Sequence, residues 1–96
     1  MVKIGSVEIS GPLVLAPMAG VTDFAFRAAC REQGAALTAT EMVSARALTF
    51  GDEKTKELLY LSPGEHFVAV QIFGHEPEVM AEAARLALDI SGADIL

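Results

Sequence analysis

The sequence predicts an α/β protein with a parallel sheet, built from repeated strand–helix units. Apolar runs begin near residues 13, 37, 68 and 93, and helical patterns separate them. These intervals are close to the roughly 30 residues per unit of an eight-unit βα barrel. A doubly wound open sheet shows the same alternation, so the spacing alone leaves both architectures open.

Residues 2–9 precede the first unit and predict a short β-hairpin. Apolar and polar residues alternate over residues 2–4 and 7–9, and Gly5-Ser6 between them suits a two-residue turn. Residues 10–12 (SGP) break this pattern. The hairpin is therefore expected to be separate from the strand that follows.

The first strand is predicted at residues 13–16, which are apolar at every position, as in a parallel strand covered on both faces. Pro17 ends it, because proline donates no hydrogen bond to a sheet. Gly20 permits a sharp reversal, and Thr22 and Asp23 offer side-chain oxygens that can cap a helix. Residues 17–19 are thus expected to form the first part of a ligand floor at the end of a strand.

The first helix is predicted at residues 24–33, with Gly34 as its stop. Phe26 and Cys30 share its apolar stripe. Cys30 is the only cysteine, which excludes an internal disulfide and a cysteine cluster for metal. We interpret it as a buried structural residue rather than a nucleophile.

The second and third units follow, and the sequence pattern of the third strand is clearer than that of the second. The second unit is predicted as a short strand at 37–40 followed by Glu41 and Met42, a long loop at 43–50 with a helical turn at 45–48, and a helix at 52–59. The third is predicted as a strand at 67–73, a helix from Pro77 to Ser91-Gly92 and the opening of another strand at 93–96. Because the chain stops in an apparent strand and would leave a bare edge, we expect a truncated fragment.

Composition restricts the function classes. With 96 residues, 52% of them hydrophobic, the chain is long enough for one small domain. Its net charge of −6 and only seven scattered Lys and Arg residues argue against a nucleic-acid-binding surface on this segment. No apolar run suits a membrane span or signal peptide, so the cytoplasm is expected, in line with the single cysteine.

Polar residues near strand ends are the candidates for a binding site. Gln71 alternates with Val70 and Ile72, whose β-branched side chains suit packing against helices, so Gln71 is expected on the opposite face. There its amide is either satisfied by neighbouring strands or directed at a ligand. Glu41 is either an acceptor at the same edge or an ordinary loop charge.

Two methionines extend this candidate site. Met18 and Met42 follow strand ends and would form an apolar, polarisable wall suited to a flat aromatic cofactor, although core packing is the commoner role of methionine. His66 and His75 have no metal-ligand spacing around them, so we predict no metal site, although His75 could line the binding edge. No glycine-rich phosphate loop is present in the sequence.

Three segments carry a family resemblance: residues 16–23 (APMAGVTD), 40–44 (TEMVS) and 70–74 (VQIFG). Together, in this order and at these separations, they resemble the tRNA-dihydrouridine synthases, most closely the bacterial B-type branch. The resemblance implies a flavin-dependent (β/α)8 TIM barrel followed by a helical tRNA-binding domain. Residues 1–96 would then be the N-terminal part of the FMN-binding barrel, about three and a half βα units preceded by the hairpin.

The resemblance also assigns roles. Pro17, Met18 and Ala19 correspond to the segment against the isoalloxazine ring of FMN, Gln71 to a glutamine that hydrogen-bonds the polar edge of the ring, and Glu41, less specifically, to an acidic residue near the flavin. It implies that NADPH reduces FMN and that the flavin passes hydride to a uracil flipped out of the tRNA.

The same resemblance leaves residues 1–96 without a catalytic residue. The cysteine that protonates the uracil belongs to an Asn-x-Gly-Cys-Pro segment after the fourth strand, beyond Leu96, and Cys30 does not match it. Most tRNA contacts would also come from regions absent here, so we expect the 96-residue chain itself to be inactive. The alternatives are another FMN-dependent barrel, similar to dihydroorotate dehydrogenase, and a non-catalytic partial barrel that pairs with itself or a partner.

Overall fold

The computed structural model describes residues 2–96. The chain opens with strands β1 (Val2–Ile4) and β2 (Val7–Ile9), which pair antiparallel with Lys3 opposite Glu8. Gly5-Ser6 forms the two-residue turn between them. The predicted hairpin is therefore confirmed.

The main sheet is parallel and follows the chain order. It consists of β3 (Val14–Leu15), β4 (Leu37–Ser44) and β5 (Val68–Phe73), with β4 in the middle. Ile95 continues the sheet beyond β5 through a parallel bridge to Ala69, and the N–H of Val70 donates to the Ile95 carbonyl at 2.9 Å. These strands confirm an α/β protein with a parallel sheet.

Four helices connect these strands: α1 (Phe24–Glu32), α2 (Ala45–Thr49), α3 (Glu53–Glu57) and α4 (Pro77–Ser91). Asp23 caps α1 by accepting the Phe26 N–H at 2.8 Å, and Ser44 and Asp52 cap α2 and α3 in the same way. Gly92 ends α4 in the left-handed conformation, with φ of 69°, that glycine adopts without strain. The helix predictions are thus confirmed with small shifts at the ends.

The hydrophobic core lies between one face of the sheet and helices α2 and α4. Its fully buried members are Val43, Ala45, Leu48, Leu59, Val70, Ala83 and Ala87. Ile72 packs against this cluster, whereas Gln71 between Val70 and Ile72 is exposed on the opposite face. The predicted division of β5 into a helix-facing side and a side carrying Gln71 is therefore confirmed.

Strand β3 departs from the sequence prediction. Residues 13–16 read as a strand buried on both faces, but only Val14 and Leu15 are in strand conformation. Leu13 and Val14 are 59% and 57% exposed, respectively. Within the described residues β3 pairs with β4 alone, so one of its edges and part of its side-chain surface are uncovered.

Strand β4 is longer than predicted and contains a register shift. It continues to Ser44, which pairs with Phe73, so Glu41 lies inside the strand rather than after it. Residues 43 and 44 of the predicted loop therefore belong to β4, whereas the helical turn predicted at 45–48 is confirmed as helix α2. Between Ala39 and Met42, β4 holds one more residue than β5 opposite. Such a bulge re-aims the side chains on the longer strand.

Helix α1 buries a different side chain from the one predicted. Its fully buried residue is Arg27, 1% exposed, whereas Phe26 is 38% exposed and Cys30 is half-buried. The reason is an ion pair between Arg27 and Glu65, which draws this side of α1 towards the segment after α3. The expectation of an apolar buried stripe on α1 was therefore wrong, and Cys30, predicted to be a buried structural residue, is only half-buried.

Candidate functional site

The predicted site residues lie at the carboxyl ends of three neighbouring parallel strands. Residues 17–19 follow β3, Glu41 lies within β4, and Gln71 lies within β5. Met42 and Gln71 are paired in the sheet, so their side chains share a face. In parallel α/β sheets, ligands bind beyond these strand ends.

Glu41 connects β4 to the loop after β3. Its Oε1 atom accepts the backbone N–H of Gly20 at 2.6 Å, a short distance typical of a charge-assisted hydrogen bond. Gly20 has φ of 75°, so the loop turns through a conformation that favours glycine. Glu41 is therefore a hydrogen-bond acceptor that holds the loop after β3, rather than an ordinary loop charge.

Thr22 holds the same loop from inside, a role that the sequence analysis missed. Its side chain is fully buried, and its hydroxyl both donates to the Met18 carbonyl and accepts the Met18 N–H, each at 3.2 Å. The Thr22 N–H also donates to the Met18 carbonyl at 3.0 Å. The sequence contained a signal for this role. Thr22 and Asp23 are successive candidates for the N-cap of α1, and only one residue can occupy that position. Asp23 occupies it, which leaves the Thr22 hydroxyl for another partner.

The exposed side chains along these strand ends are mostly apolar. Met18, Met42 and Phe73 are 40%, 45% and 46% exposed, and Gln71 offers a free amide next to Met42. A flat aromatic ligand needs an apolar surface with a few oriented polar groups. The exposed side chains have this composition, three apolar groups and one amide, so they fit a flat aromatic ring such as a flavin.

A cavity of about 200 Å³ opens beside Glu41. It extends to Lys54 and Glu57 of α3 and to the aromatic pair Phe24 and Tyr60, whose rings meet edge to face at 5.2 Å. Charges of both signs line this cavity. The cavity shares Glu41 with the strand ends described above, but Met18, Met42 and Gln71 do not line it.

Two other candidate residues lie apart from this set. Cys30 lines a separate cavity of about 320 Å³ with Leu13 and with both residues of β3, Val14 and Leu15. The His75 side chain is 88% exposed and lies near Glu76, beyond the end of β5. Over residues 2–96, no cluster of three or more His, Cys, Asp or Glu side chains is arranged to hold a metal ion. None of the helices described is long and apolar enough to cross a membrane.

Comparison with known proteins identifies relatives along nearly the whole chain. Residues 14–96 match the family model described as dihydrouridine synthase (Dus). The chain is 43% identical over 88 residues to the probable tRNA-dihydrouridine synthase of Treponema pallidum (strain Nichols), covering 92% of this chain and 26% of that protein. It is 40% identical over 94 residues to tRNA-dihydrouridine synthase B of Shewanella oneidensis and 38% identical over 94 residues to that of Escherichia coli (strain K12).

The last two matches each cover 98% of this chain and 29% of the relative, so the chain spans less than a third of the length of these curated relatives. Their names confirm the similarity to the B-type branch, and the family match favours a synthase over a protein similar to dihydroorotate dehydrogenase. All three motif segments lie within the matched residues. The chain belongs to the dihydrouridine synthase family.

Proposed function

We propose that the whole protein reduces uridine in tRNA to 5,6-dihydrouridine in the cytoplasm, with FMN as its cofactor and NADPH as the source of hydride. The family membership and the names of the relatives support the reaction class. The observation that carries the cofactor assignment is the shared edge of the sheet, where exposed Met42 is paired with Gln71 and exposed Met18 follows the neighbouring strand β3. Such a surface suits a planar ring with one polar edge.

We propose further that this chain forms part of a (β/α)8 barrel. In doubly wound sheets the strand order reverses, because either the third or the fourth strand returns to lie beside the first. Here the fourth parallel segment, at Ile95, lies beside β5, the third strand, so all four follow each other in chain order. That order supports a barrel, in which each strand neighbours the next.

The site residues take distinct roles in this proposal. Pro17, Met18 and Ala19 form the floor beneath the ring, and the Ala19 N–H is outside the hydrogen bonds that close the loop. Gln71 directs its amide at the polar edge of the ring, where it fixes the orientation of the cofactor. Glu41 acts indirectly, because its carboxylate accepts a hydrogen bond from the Gly20 N–H and so keeps the floor in place.

FMN, when bound, supplies the hydride-transfer chemistry that protein side chains lack. The chain's own residues would hold the ring, and the exposed apolar side chains of Met18 and Met42 would exclude water from it. We assign no proton donor to residues 1–96, because Cys30 lines a different cavity from the one beside Glu41. The tRNA substrate is proposed to bind mainly outside this acidic segment.

The activity is tested on the full-length protein. It is purified, its flavin is released and identified, and it is incubated with NADPH and tRNA that lacks dihydrouridine. Mass spectrometry of the digested tRNA is expected to show uridine gaining two hydrogens. A flavin-free protein that leaves the tRNA unchanged would contradict the proposal.

The role of Gln71 is tested by Gln71→Leu in the same protein. Loss of one oriented hydrogen bond of about 1.4 kcal/mol corresponds to roughly tenfold weaker FMN binding. Because Gln71 is exposed and outside the core, the thermal midpoint of the FMN-free protein is expected to stay unchanged. Gln33→Leu, the same change at the exposed C-cap of α1, is the matched control. Equal FMN affinity in the two variants would remove Gln71 from the site.

A further inference from the structure

Arg27 is buried more completely than a charged side chain usually is. It is 1% exposed, and its Nε lies 2.5 Å from Oε1 of Glu65, whose side chain is 4% exposed. A second contact joins Nη2 to the other carboxylate oxygen at 3.3 Å, and the Ser62 N–H donates to that oxygen at 2.8 Å. Removing two charges from water carries a large desolvation penalty, so a buried ion pair is weak evidence for added stability. The role of this pair is therefore inferred from the backbone segments that it holds in place.

The guanidinium of Arg27 fixes two backbone segments. Nη1 donates to the Thr22 carbonyl at 2.7 Å, and Nη2 donates to the Tyr60 carbonyl at 2.9 Å. Thr22 in turn makes the hydroxyl and amide contacts to Met18 described above. Two steps of hydrogen bonding therefore lead from the buried ion pair to the backbone of the predicted flavin floor.

We propose that Arg27, held by Glu65, is a positioning residue of the flavin site, acting through Thr22 on the backbone of Met18. This rests on the proposed function, since it takes residues 17–19 as the floor of the FMN site. Glu41 holds Gly20 and Arg27 holds Thr22, two anchors on the carboxyl side of residues 17–19, whose amino side continues from β3. A loop fixed in this way binds a rigid ring without first losing conformational freedom.

A second arginine on the same helix provides a control that separates this positioning role from a general stabilising role. Arg31, one turn after Arg27, is half-buried and donates to the carbonyls of His66 and Phe67 and to the Thr38 hydroxyl. Burial lowers the pKa of its guanidinium below the ordinary value, although the Glu65 carboxylate acts in the opposite direction. These contacts lie at the amino end of β5, so Arg31→Met changes stability without touching the floor.

The test uses the full-length protein and two independent sets of variants. Arg27→Met combined with Glu65→Leu removes both charges together, which avoids leaving one of them buried and unpaired. Thr22→Val removes the hydroxyl with little change of shape, whereas Thr22→Ser keeps the hydroxyl and removes only the methyl group. FMN affinity is measured by titration of flavin fluorescence, amide exchange over residues 16–22 is measured without FMN, and stability is measured by urea unfolding.

The double variant and Thr22→Val are each expected to bind FMN at least tenfold more weakly and to exchange amides at 16–22 at least tenfold faster. Thr22→Ser is expected to stay within twofold of wild type, as is Arg31→Met, even where Arg31→Met lowers the urea midpoint. If the double variant does not fold, the Thr22 pair decides. Affinity and exchange within twofold of wild type in Thr22→Val would overturn the proposal, as would an equal loss of affinity in Arg31→Met.

Failure of the proposed function gives a different result. If the wild-type protein binds no FMN, the cofactor assignment is wrong, while amide exchange over residues 16–22 still reports whether Arg27 and Thr22 order the loop. If the wild-type protein binds FMN and the variants bind it equally well, the cofactor assignment stands and the positioning role of Arg27 is wrong.

Discussion

The hydrogen bond from Gly20 to Glu41 gives a prediction that separates a loop anchor from an ordinary surface charge. Two substitutions change this bond in steps: Glu41→Gln keeps an acceptor oxygen and removes the charge, and Glu41→Leu removes both. The loop of residues 17–22 is expected to open more often in each variant, in that order. The fold should persist, because Glu41 is half-buried and outside the hydrophobic core.

The size of the effect follows from the contact itself. A hydrogen bond to a charged group contributes about 1.5–3 kcal/mol and a neutral one about 0.5–1.5 kcal/mol. The 2.6 Å bond of Glu41 is short but half-exposed to water, so we take the lower end of the charged range. Glu41→Leu is then expected to cost about 1.5 kcal/mol of local opening free energy, roughly a tenfold change, and Glu41→Gln about 0.7 kcal/mol, roughly threefold.

Hydrogen exchange of the Gly20 amide measures this opening directly, because exchange requires the bond to Glu41 to break. Rates are compared in the FMN-free full-length protein at one pH. Glu57→Leu is the matched control, since Glu57 is exposed and lines the same cavity from α3. If Gly20 exchanges as slowly in Glu41→Leu as in the wild type, the carboxylate does not hold the loop and the assigned role of Glu41 fails.

Two further predictions concern tight packing and a helix cap. A Cβ at Gly74 would lie 2.8 Å from the Met80 sulfur and 3.2 Å from the Ala45 Cβ, so Gly74→Ala is expected to destabilise the protein by about 1–3 kcal/mol in urea unfolding, partly rescued by Met80→Ala. Equal costs in both Met80 backgrounds would refute the clash. Hydrogen bonds from the Thr55 side chain and N–H lower the pKa of Asp52, the N-cap of α3. The cap is therefore complete above the unfolded pKa of about 4 and is lost as pH falls through the lower folded value. Exchange of the Thr55 amide, corrected for its intrinsic pH dependence, should rise only below about pH 4, and Asp52→Asn should remove that rise; a rise already present near pH 6 would contradict it.

Elements with strong local signals were predicted correctly from the sequence. Strand β5 is an apolar run with one polar residue, and α4 begins with a proline suited to the first helical position and ends at Gly92. These features depend on residues a few positions apart. Their sequence patterns therefore determine the structure almost completely.

The features that were predicted wrongly depend on contacts between residues that are distant in the sequence. The register shift in β4 is defined only against β5, so nothing within residues 37–44 indicates that Glu41 lies inside a strand. The burial of Arg27 depends on Glu65, 38 residues later, whereas helical periodicity marks the alanines and Phe26 of α1 as the buried side. The amide of Gln71 was placed on the correct face because alternation in β5 is regular.

The extra residue between Ala39 and Met42 keeps the two ends of β4 in step with β5. Ala39 pairs with Ala69 and Met42 with Gln71, so β4 takes three steps where β5 takes two. Without the bulge, three steps of strict alternation would place Met42 on the face opposite to Ala39. A one-residue deletion here is therefore expected to leave Met42 opposite Gln71 and Val43 opposite Ile72, and to remove only the irregular segment that carries Glu41. A one-residue insertion, by contrast, would turn every later side chain of β4 to the other face.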